Sequence, residues 1–210
     1  MAGKYRYFVV LTSLGSCRLD LNLMIQELKN KVRKEAFINR QKAFAADIGN
    51  SASLLSSVLA GYRGVPIAGY LPIKTEIDPL SAMEEASAHS LVGVPVIQGN
   101  SKPLKFSRWE PGCNLKKGPF DVQIPVNSYY FVPEVLIIPM VGFDRNGGRL
   151  GYGGGFYDRT LEYLRSRQAT LAIGFAYSEQ EFENLPLEPT DQKLDIIITE
   201  REIIEFKHSK

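Results

Sequence analysis

The sequence predicts an α/β protein in which helices flank a mostly parallel, twisted sheet. Continuous apolar runs at 135–141 and 170–176 have the composition of strands that are buried on both faces, as in parallel sheets. Segments with helical spacing of apolar residues alternate with such runs, and this alternation favours right-handed crossovers that cover both faces of a sheet. We therefore expect a three-layer, Rossmann-like arrangement.

The first half of the chain is predicted to contain three helices and a strand. Residues 22–46 have apolar positions at steps of three and four, which indicates a long amphipathic helix. The positions that define its apolar face are Ile25, Leu28, Val32, Ala36 and Phe37. A shorter helix is expected over 51–60, and the apolar run 65–71 indicates a strand. Asp78 followed by proline is an N-cap signal, which predicts a helix over 78–89.

The second half continues the alternation. A strand is expected over 92–97, and residues 99–128 are predicted to be irregular, with short strands near Phe106 and Val122. The later strands are expected at 135–141, 170–176 and 195–199. Ligands of open α/β sheets bind at the carboxyl ends of the strands. The segments that begin at that edge are the ones after Leu71, Val141 and Ala176.

Length and composition favour one domain and argue against several classes of protein. A chain of 210 residues with 44% hydrophobic residues can bury one core, and we expect a single domain over 22–210. The net charge of +2, from 25 basic and 23 acidic residues, argues against nucleic acid or an anionic membrane as a partner. Two histidines and no Gly-x-Ser-x-Gly motif argue against a histidine-based triad. We expect a monomer that binds small molecules.

Cysteine usage and hydropathy indicate a cytoplasmic protein. Cys17 and Cys113 form neither a disulfide framework nor a zinc motif. No apolar stretch approaches the roughly twenty residues of a membrane span. We interpret residues 1–21 as an N-terminal extension that is disordered or not essential, with Met24 as an alternative start. The run 14–17, Leu-Gly-Ser-Cys, faintly resembles a lipoprotein cleavage site, which leaves export as the rival interpretation.

The most distinctive stretch is a glycine-rich loop between a predicted strand and a predicted helix. Six of the nine residues 147–155 are glycine, which lets backbone N–H groups approach an anion closely. The N-terminus of the following helix would add the positive end of its dipole, and Arg149 offers a forked phosphate contact. The loop lacks the Gly-Lys-Ser/Thr of a Walker A motif and does not match Gly-x-Gly-x-x-Gly. We therefore predict a phosphate-binding loop of a more particular kind.

Residues in and around this loop follow a recognisable order. The order is Phe143-Asp144, a glycine turn, Arg149-Leu150-Gly151, a glycine run, Phe156-Tyr157 and Asp158. It resembles the signature of the 5-formyltetrahydrofolate cyclo-ligase family. The resemblance extends to Lys29, Arg33, residues 69–76 and residues 189–199. It departs from the family at 118–125, which reads Gly-Pro-Phe-Asp-Val-Gln-Ile-Pro where the family often has Gly-x-Phe-Gly-Ile-x-Glu-Pro, so no glutamate contact is expected there.

The resemblance implies a set of site residues for ATP, a reduced folate and Mg²⁺. The residues implied for ATP are Lys29, Arg33, Arg149, Leu150, Gly151, Tyr152, Gly153, Gly154, Gly155 and Tyr157. Those implied for the folate are Leu71, Glu76, Tyr152, Gly153, Gly154, Gly155 and Phe156. Asp158 and Asp191 are implied as the metal ligands, and a carboxylate beside a phosphate loop suits Mg²⁺. The expected catalytic residues are Arg149, Tyr157 and Asp158.

The charged members of this set also have simpler interpretations. Lys29 and Arg33 lie four residues apart and could form one solvated helix face, although an anion between them would relieve their repulsion. Asp158 could only complement the dipole of its helix. Asp191 could cap a turn. For Asp144, a turn residue is favoured over a third polar metal ligand.

The aromatic residues and Glu76 likewise have structural alternatives. Tyr157 is in phase with two leucines of the following helix, which is typical of a core residue. Tyr152 and Phe156 lie among the glycines, where a flat pterin or adenine could stack against them. Glu76 could be a surface acid before a helix, whereas a carboxylate also suits the paired N–H donors at the edge of a pterin.

The resemblance implies that the protein uses ATP and Mg²⁺ to convert 5-formyltetrahydrofolate to 5,10-methenyltetrahydrofolate, ADP and phosphate, by phosphorylating the formyl oxygen before N10 attacks. Two other classes stay open on the residues alone. A sugar-phosphate or CoA-ester enzyme on a related sheet would also place a glycine loop after a strand. A non-catalytic RNA-binding module could use tyrosines and arginines near glycines, although the small net charge argues against it.

Overall fold

The structure is a computed structural model that describes the backbone of residues 4–206 and the side chains of residues 23–206. Over this range the α-helices are α1 (Lys4–Ala46), α2 (Ser53–Leu59), α3 (Leu80–Ser87) and α4 (Phe156–Arg165). The strands of the same range are β1 (Ile67–Ala68), β2 (Val92–Val96), β3 (Lys105–Arg108), β4 (Leu115–Lys117), β5 (Gln123–Pro125), β6 (Tyr130–Phe131), β7 (Val135–Pro139), β8 (Gly142–Phe143), β9 (Arg149–Leu150), β10 (Leu171–Phe175), β11 (Ile196–Ile198) and β12 (Ile203–Glu205).

An eight-stranded sheet forms the centre of the protein, in the order β12-β11-β10-β7-β1-β2-β3-β6. Its five central strands, from β11 to β2, pair in parallel. The edge strands β12, β3 and β6 pair in antiparallel fashion. The parallel strands follow the chain order 2-1-3-4-5 across the sheet, which is a doubly wound topology with its switch point between β1 and β7. The predicted α/β fold with a mostly parallel sheet is confirmed.

Helices cover both faces of the sheet, and each face has its own core. On one face, Ile67, Val135 and Ile137 pack in the same buried cluster as residues of α1, α2 and α3. The neighbouring positions in the strands, among them Leu136 and Ile138, point to the other face and share a cluster with α4. Because successive side chains in a strand point to opposite faces, strands buried on both sides must be apolar throughout. The result is the predicted three-layer arrangement.

Most predicted elements are present with shorter bounds. The strand expected over 65–71 is only two residues long, because the chain leaves the sheet after Gly69, whose N–H still donates to the carbonyl of Gly93 at 2.9 Å. The helix expected over 78–89 begins at Leu80, and its N–H donates to Oδ1 of Asp78 at 2.8 Å. Pro79, not Asp78, occupies the N-cap position, so the N-cap prediction for Asp78 was wrong by one residue, although its carboxylate still accepts from the first N–H of the helix.

The apolar face predicted for α1 is confirmed in part: Ala36 is buried, and Ile25, Val32 and Phe37 are partly buried. Leu28 is half-exposed, whereas Lys29 and Arg40 are 4% and 1% exposed. The buried side of the helix runs through Lys29, Ala36, Arg40 and Ala43, at steps of seven, four and three. The spacing of apolar residues could not predict this face, because a lysine or arginine is buried only when other segments of the fold supply partners for its charge.

The helix α1 begins earlier in the chain than expected. The helix starts at Lys4 rather than at residue 22. The side chains of residues 1–22, including Cys17, lie outside the described residues, so the export alternative and the dispensability of residues 1–21 stay predictions. Within the described part of the chain, no helix combines the length and apolar content that crossing a bilayer requires.

Five of the strands in the described residues were not predicted, and one pair of them matters for the site. The missed strands are β4, β6, β8, β9 and β12. The strand β8 pairs with β9 in a two-stranded antiparallel sheet between β7 and the glycine run, with Phe143 opposite Arg149. Arg149 is therefore a strand residue with a buried side chain, not part of a free loop.

Candidate active site

A cavity of about 500 Å³ opens at the carboxyl ends of β1 and β7, the switch point of the sheet. The chain after β1 contributes Tyr70 and Leu71, and the end of β7 contributes Pro139. Every residue that the sequence suggested for ATP, folate or metal lines this one cavity. Open α/β sheets bind ligands in such a crevice because neighbouring loops diverge to opposite faces at the switch point.

Lys29 and Arg33 enter the cavity from α1. Nζ of Lys29 lies 2.7 Å from Oε2 of Glu188 and 2.6 Å from Oδ2 of Asp191. Arg33 donates from Nε to the carbonyl of Gly151 at 2.9 Å, which ties α1 to the glycine run. Burial lowers the pKa of Arg33 from its usual value, and the charges of Asp191 and Glu188 oppose that effect. The solvated-face interpretation is wrong for Lys29, which is buried against two carboxylates.

Arg149 and Asp158 form a buried pair at the base of the glycine run. Arg149 is 7% exposed and donates from Nη1 to the carbonyl of Gln192 and from Nη2 to Oδ1 of Asp158, both at 2.8 Å. Burial lowers the pKa of Arg149, and the charges of Asp158 and Asp191 oppose that effect. An arginine side chain stays protonated in proteins, so a fixed cation lies at the cavity wall.

The glycine run shapes the floor of the cavity. Gly153 has φ +99° and Gly155 has φ +63°, backbone conformations that residues other than glycine rarely adopt. A Cβ on Gly153 would lie 3.4 Å from Cζ of Arg33, so the backbone and the guanidinium are in close contact. Gly155 is the N-cap of α4 and supplies no side-chain acceptor to its first turn. The donors at the start of this helix are therefore free of a capping side chain, as an anion site needs.

Glu76 and two tyrosines line a second part of the cavity. Glu76 is 5% exposed, and its Oε2 accepts a hydrogen bond from the N–H of Ile73 at 2.9 Å. Burial raises the pKa of Glu76, and the Ile73 bond and the charge of Arg40 oppose that effect. The hydroxyl of Tyr157 is buried and has no hydrogen-bond partner among the described residues. Burial, followed by the charge of Glu76, raises the pKa of Tyr157. A buried hydroxyl without a partner could donate a hydrogen bond to a ligand.

Asp158 and Asp191 have oxygens that could hold a divalent cation. Oδ1 of Asp158 accepts from Arg149 and from the N–H of Gln192, and Oδ2 of Asp191 accepts from Lys29 and from the N–H of Glu188. The second oxygen of each carboxylate has no hydrogen-bond donor among the described residues. Hard carboxylate oxygens beside the glycine run fit the ligand preference of Mg²⁺. The described residues contain no cluster of three or more histidine, cysteine or acidic side chains that would hold a metal without further ligands.

Asp144 has a structural role. Its Oδ1 accepts from the N–H groups of Asn146 and Gly148, each at 2.9 Å, and its Oδ2 accepts from the N–H of Leu185 at 3.1 Å. The carboxylate therefore closes the turn between β8 and β9, and the turn interpretation is confirmed.

The segment that departs from the family pattern borders the cavity as well. Pro119, Val122, Gln123 and Ile124 of the β4–β5 hairpin line it. Asp121 has φ +62° at the position where the family often has glycine. This left-handed backbone conformation accounts for the family's preference for glycine at the position, because only glycine adopts it without steric cost. Ile124 stands where the family often has glutamate, so this wall is apolar here.

The residues that sequence reasoning missed include Glu188, which lines the cavity, and Arg40, which lies behind its wall. Arg40 donates to Thr75 and Tyr152, and Glu188 pairs with Lys29. One signal for Arg40 is present in the sequence, because it lies seven residues after Arg33 and so on the same face of α1. Glu188 carries no local signal, since its partner lies 159 residues away.

Comparison with known proteins shows the family of the chain. A sequence profile of the 5-formyltetrahydrofolate cyclo-ligase family matches residues 25–200. The chain is 44% identical to the 5-formyltetrahydrofolate cyclo-ligase of Escherichia coli strain K12 over 147 residues, which cover 67% of this chain and 80% of that protein. It is 40% identical to the Haemophilus influenzae protein of the same name over 98 residues, or 46% of this chain and 47% of that protein.

A solved structure shows the same architecture. The NMR structure of Aquifex aeolicus 5,10-methenyltetrahydrofolate synthetase superimposes with a TM-score of 0.67 at 28% sequence identity. The superposition covers 87% of this chain and 95% of that one. The profile match takes in α1 from residue 25, the segment after β1 and the glycine run, which together build the cavity. The chain therefore belongs to the 5-formyltetrahydrofolate cyclo-ligase family.

Proposed function

We propose that the protein uses ATP and Mg²⁺ to convert 5-formyltetrahydrofolate to 5,10-methenyltetrahydrofolate, ADP and phosphate. As a member of this family, the chain is a folate ligase of one-carbon metabolism. The observation that carries the proposal is one cavity in which a glycine run with buried cations lies beside a buried carboxylate and a tyrosine hydroxyl that has no hydrogen-bond partner among the described residues. Membership of the cyclo-ligase family argues against the sugar-phosphate, CoA-ester and RNA-binding alternatives.

The chemistry requires activation of a formamide. Its carbonyl carbon is a poor electrophile and its oxygen a poor leaving group. Transfer of the γ-phosphoryl group of ATP to that oxygen releases ADP and makes an imidoyl phosphate. N10 then attacks the imidoyl carbon and loses its proton, and phosphate departs with the bonding electrons as the ring closes. Phosphoryl transfer depends mainly on positioning and charge neutralisation, so it demands cations and amides rather than a histidine base.

The phosphate side of the cavity supplies these groups. Lys29, Arg33 and Arg149 would neutralise the triphosphate, and the backbone of the glycine run would donate to its oxygens. Lys29 is paired with Glu188 and Asp191. A bound phosphate must therefore share the ammonium group of Lys29 with these carboxylates or displace them from it. This exchange keeps the buried ammonium paired both with and without nucleotide, which avoids an uncompensated buried charge.

Asp158 and Asp191 would hold the magnesium ion. When bound there, Mg²⁺ would neutralise charge on the phosphate oxygens and help to orient them. Asp158 also accepts a hydrogen bond from Arg149. Its carboxylate would therefore hold the guanidinium of Arg149 through one oxygen and contact Mg²⁺ through the other.

Glu76, Leu71 and the aromatic residues would bind the folate. The ionised carboxylate of Glu76 would accept from the N–H donors at the edge of the pterin, with Leu71 beside the ring. Tyr152 and Phe156 offer flat surfaces at the glycine run, and Tyr157 offers its free hydroxyl. We further propose a cytoplasmic monomer that binds neither nucleic acid nor membranes, in line with its small net charge.

Product formation should require both ATP and Mg²⁺. The experiment combines purified protein, 5-formyltetrahydrofolate and MgATP, and follows the near-ultraviolet absorbance of the methenyl product. We expect no product when either ATP or Mg²⁺ is left out, because the formyl oxygen must be phosphorylated before N10 can displace it. Formation of product at an equal rate without nucleotide would rule out this mechanism.

Removal of residues 1–21 should leave turnover and melting temperature unchanged. The first described side-chain contact between α1 and the cavity is made by Gln26, which donates to Glu188 at 2.9 Å. Extending the deletion through Arg33 should abolish turnover, because Lys29 and Arg33 are lost together. The two truncations are compared with the full chain by activity and thermal melting. A large loss of either property on removing only residues 1–21 would show that this segment belongs to the folded domain.

A further inference from the structure

Arg40 on α1 is the largest of the fully buried side chains, with 1% of its surface exposed. Nε donates to the hydroxyl of Thr75 at 3.1 Å, and Nη2 donates to the hydroxyl of Tyr152 at 2.8 Å. Nη1 has no hydrogen-bond partner among the described residues and lies 3.8 Å from Oε1 of Glu76. The guanidinium also lies within cation–π range of Phe37 and Tyr152, at 5.2 and 5.4 Å from the ring centroids.

These contacts join three separate segments behind the cavity wall. Thr75 and Glu76 belong to the loop between β1 and α3, Tyr152 belongs to the glycine run, and Arg40 belongs to α1. Glu76 and Tyr152 line the cavity, whereas Arg40 does not. Arg40 therefore contacts the residues that face a ligand without reaching the ligand space itself.

Stability alone does not explain this arrangement. Desolvating a guanidinium is costly, and a buried ion pair contributes little to stability unless all of its donors are satisfied. Here Nη1 lacks a hydrogen bond, and its distance to Glu76 is too long for one. An apolar residue of similar volume would fill this site more cheaply. The cost is understandable if the charge serves the carboxylate beside it.

We propose that Arg40 is a positioning residue for the folate: it keeps the Glu76 carboxylate ionised and aimed at the cavity, and it fixes the Tyr152 hydroxyl and ring beside it. The proposal rests on the folate-binding role proposed above for Glu76 and Tyr152. A carboxylate buried without a cation would neutralise itself and lose its capacity to accept two hydrogen bonds.

The surroundings of Glu76 support this role. The charged and titratable groups that act on its carboxylate are Arg40, Lys74, Tyr152, Tyr70 and Tyr157. Arg40 and Lys74 are the cations of this set, and Arg40 exerts the larger effect of the two on the pKa of Glu76. Removing Arg40 should therefore raise the pKa of Glu76 further. Binding that needs the ionised carboxylate would then weaken at neutral pH and recover as the pH rises.

The test separates folate binding from ATP binding in Arg40→Met and Arg40→Lys. Arg40→Met should raise the KM for 5-formyltetrahydrofolate by roughly tenfold to a hundredfold, as expected for loss of a charge-assisted contact, with the KM for ATP changed by less than about twofold. The folate KM of Arg40→Lys should lie between those of the wild type and Arg40→Met, because lysine keeps the positive charge but lacks the forked set of guanidinium donors. Lys34→Met, at an exposed position of the same helix, is the matched control and should leave both values unchanged.

Two further measurements distinguish positioning from a merely structural role. The rise of the folate KM at low pH should move to higher pH in Arg40→Met, while the titrations of the substrates themselves stay common to both proteins. In a Glu76→Gln background, Arg40→Met should have little additional effect, because the carboxylate it serves is gone. The double variant buries no unpaired charge, so it also gives a folded reference if Arg40→Met is unstable.

The outcomes are separable from those for the proposed function. Equal increases of both KM values, no change of the folate KM, or effects of Arg40→Met and Glu76→Gln that simply add would overturn the positioning role. Equilibrium dialysis of 5-formyltetrahydrofolate without nucleotide measures the same contact directly. If the wild type made no methenyl product but bound the folate more tightly than Arg40→Met did, the reaction would be wrong and the role of Arg40 would stand.

Discussion

Arg149→Ala should lower turnover by roughly a hundredfold to a thousandfold at saturating MgATP, the effect typical of losing one preorganised donor to developing charge. The variant should also lose about 1–3 kcal/mol of unfolding free energy, because Asp158 and the carbonyl of Gln192 lose their shared donor. This second effect follows from the structure, since a free loop arginine would have had none. Steady-state kinetics and urea denaturation measure the two effects.

The protein contains a matched control for this substitution. Arg165 makes the same pair of contacts, from Nη1 to the carbonyl of Lys193 and from Nη2 to Oδ2 of Asp195, both at 2.8 Å. It lies outside the residues that line the cavity. Arg165→Ala should therefore reduce stability and leave turnover near normal. Arg149→Lys should recover only part of the turnover, because a point charge lacks the fork. Near-normal turnover of Arg149→Ala would contradict a phosphate role.

Asp158→Asn should raise the Mg²⁺ concentration needed for half-maximal rate by about tenfold or more and slow turnover even at high Mg²⁺. A neutral amide is a much weaker ligand for a hard cation than a carboxylate is. The amide oxygen can still accept from Arg149, so the fold around the pair should persist. The measurement is a titration of rate against Mg²⁺ at fixed ATP.

The rival explanation predicts a different result. If Asp158 only complements the dipole of α4, Asp158→Asn should cost about 0.3–1 kcal/mol of stability and leave the Mg²⁺ titration in place. Asp195→Asn serves as the control, because Asp195 accepts from Arg165 in the same way and lies outside the cavity lining. An unshifted Mg²⁺ curve for Asp158→Asn would favour the dipole explanation.

The sequence by itself determined the α/β class, the order of the main elements and the location of the site. These follow from local signals: short apolar runs typical of buried strands, helical spacing, the helix start signal of Asp78 followed by proline, and a run of glycines after a strand. The site residues proposed from the family resemblance all line one cavity. A local sequence signal is enough to predict a feature when the residues that form it are close together in the chain.

Only the tertiary structure decided which charges are buried and what they contact. The spacing of apolar residues placed Leu28 in the core and left Lys29 in solvent, and the reverse is found. Lys29 can be buried because Glu188 and Asp191 reach it from about 160 residues away, and Arg40 because Tyr152 and Thr75 do so from two different loops. A buried charge is stable only with partners, and partners this distant along the chain become neighbours only when the sheet and its loops assemble.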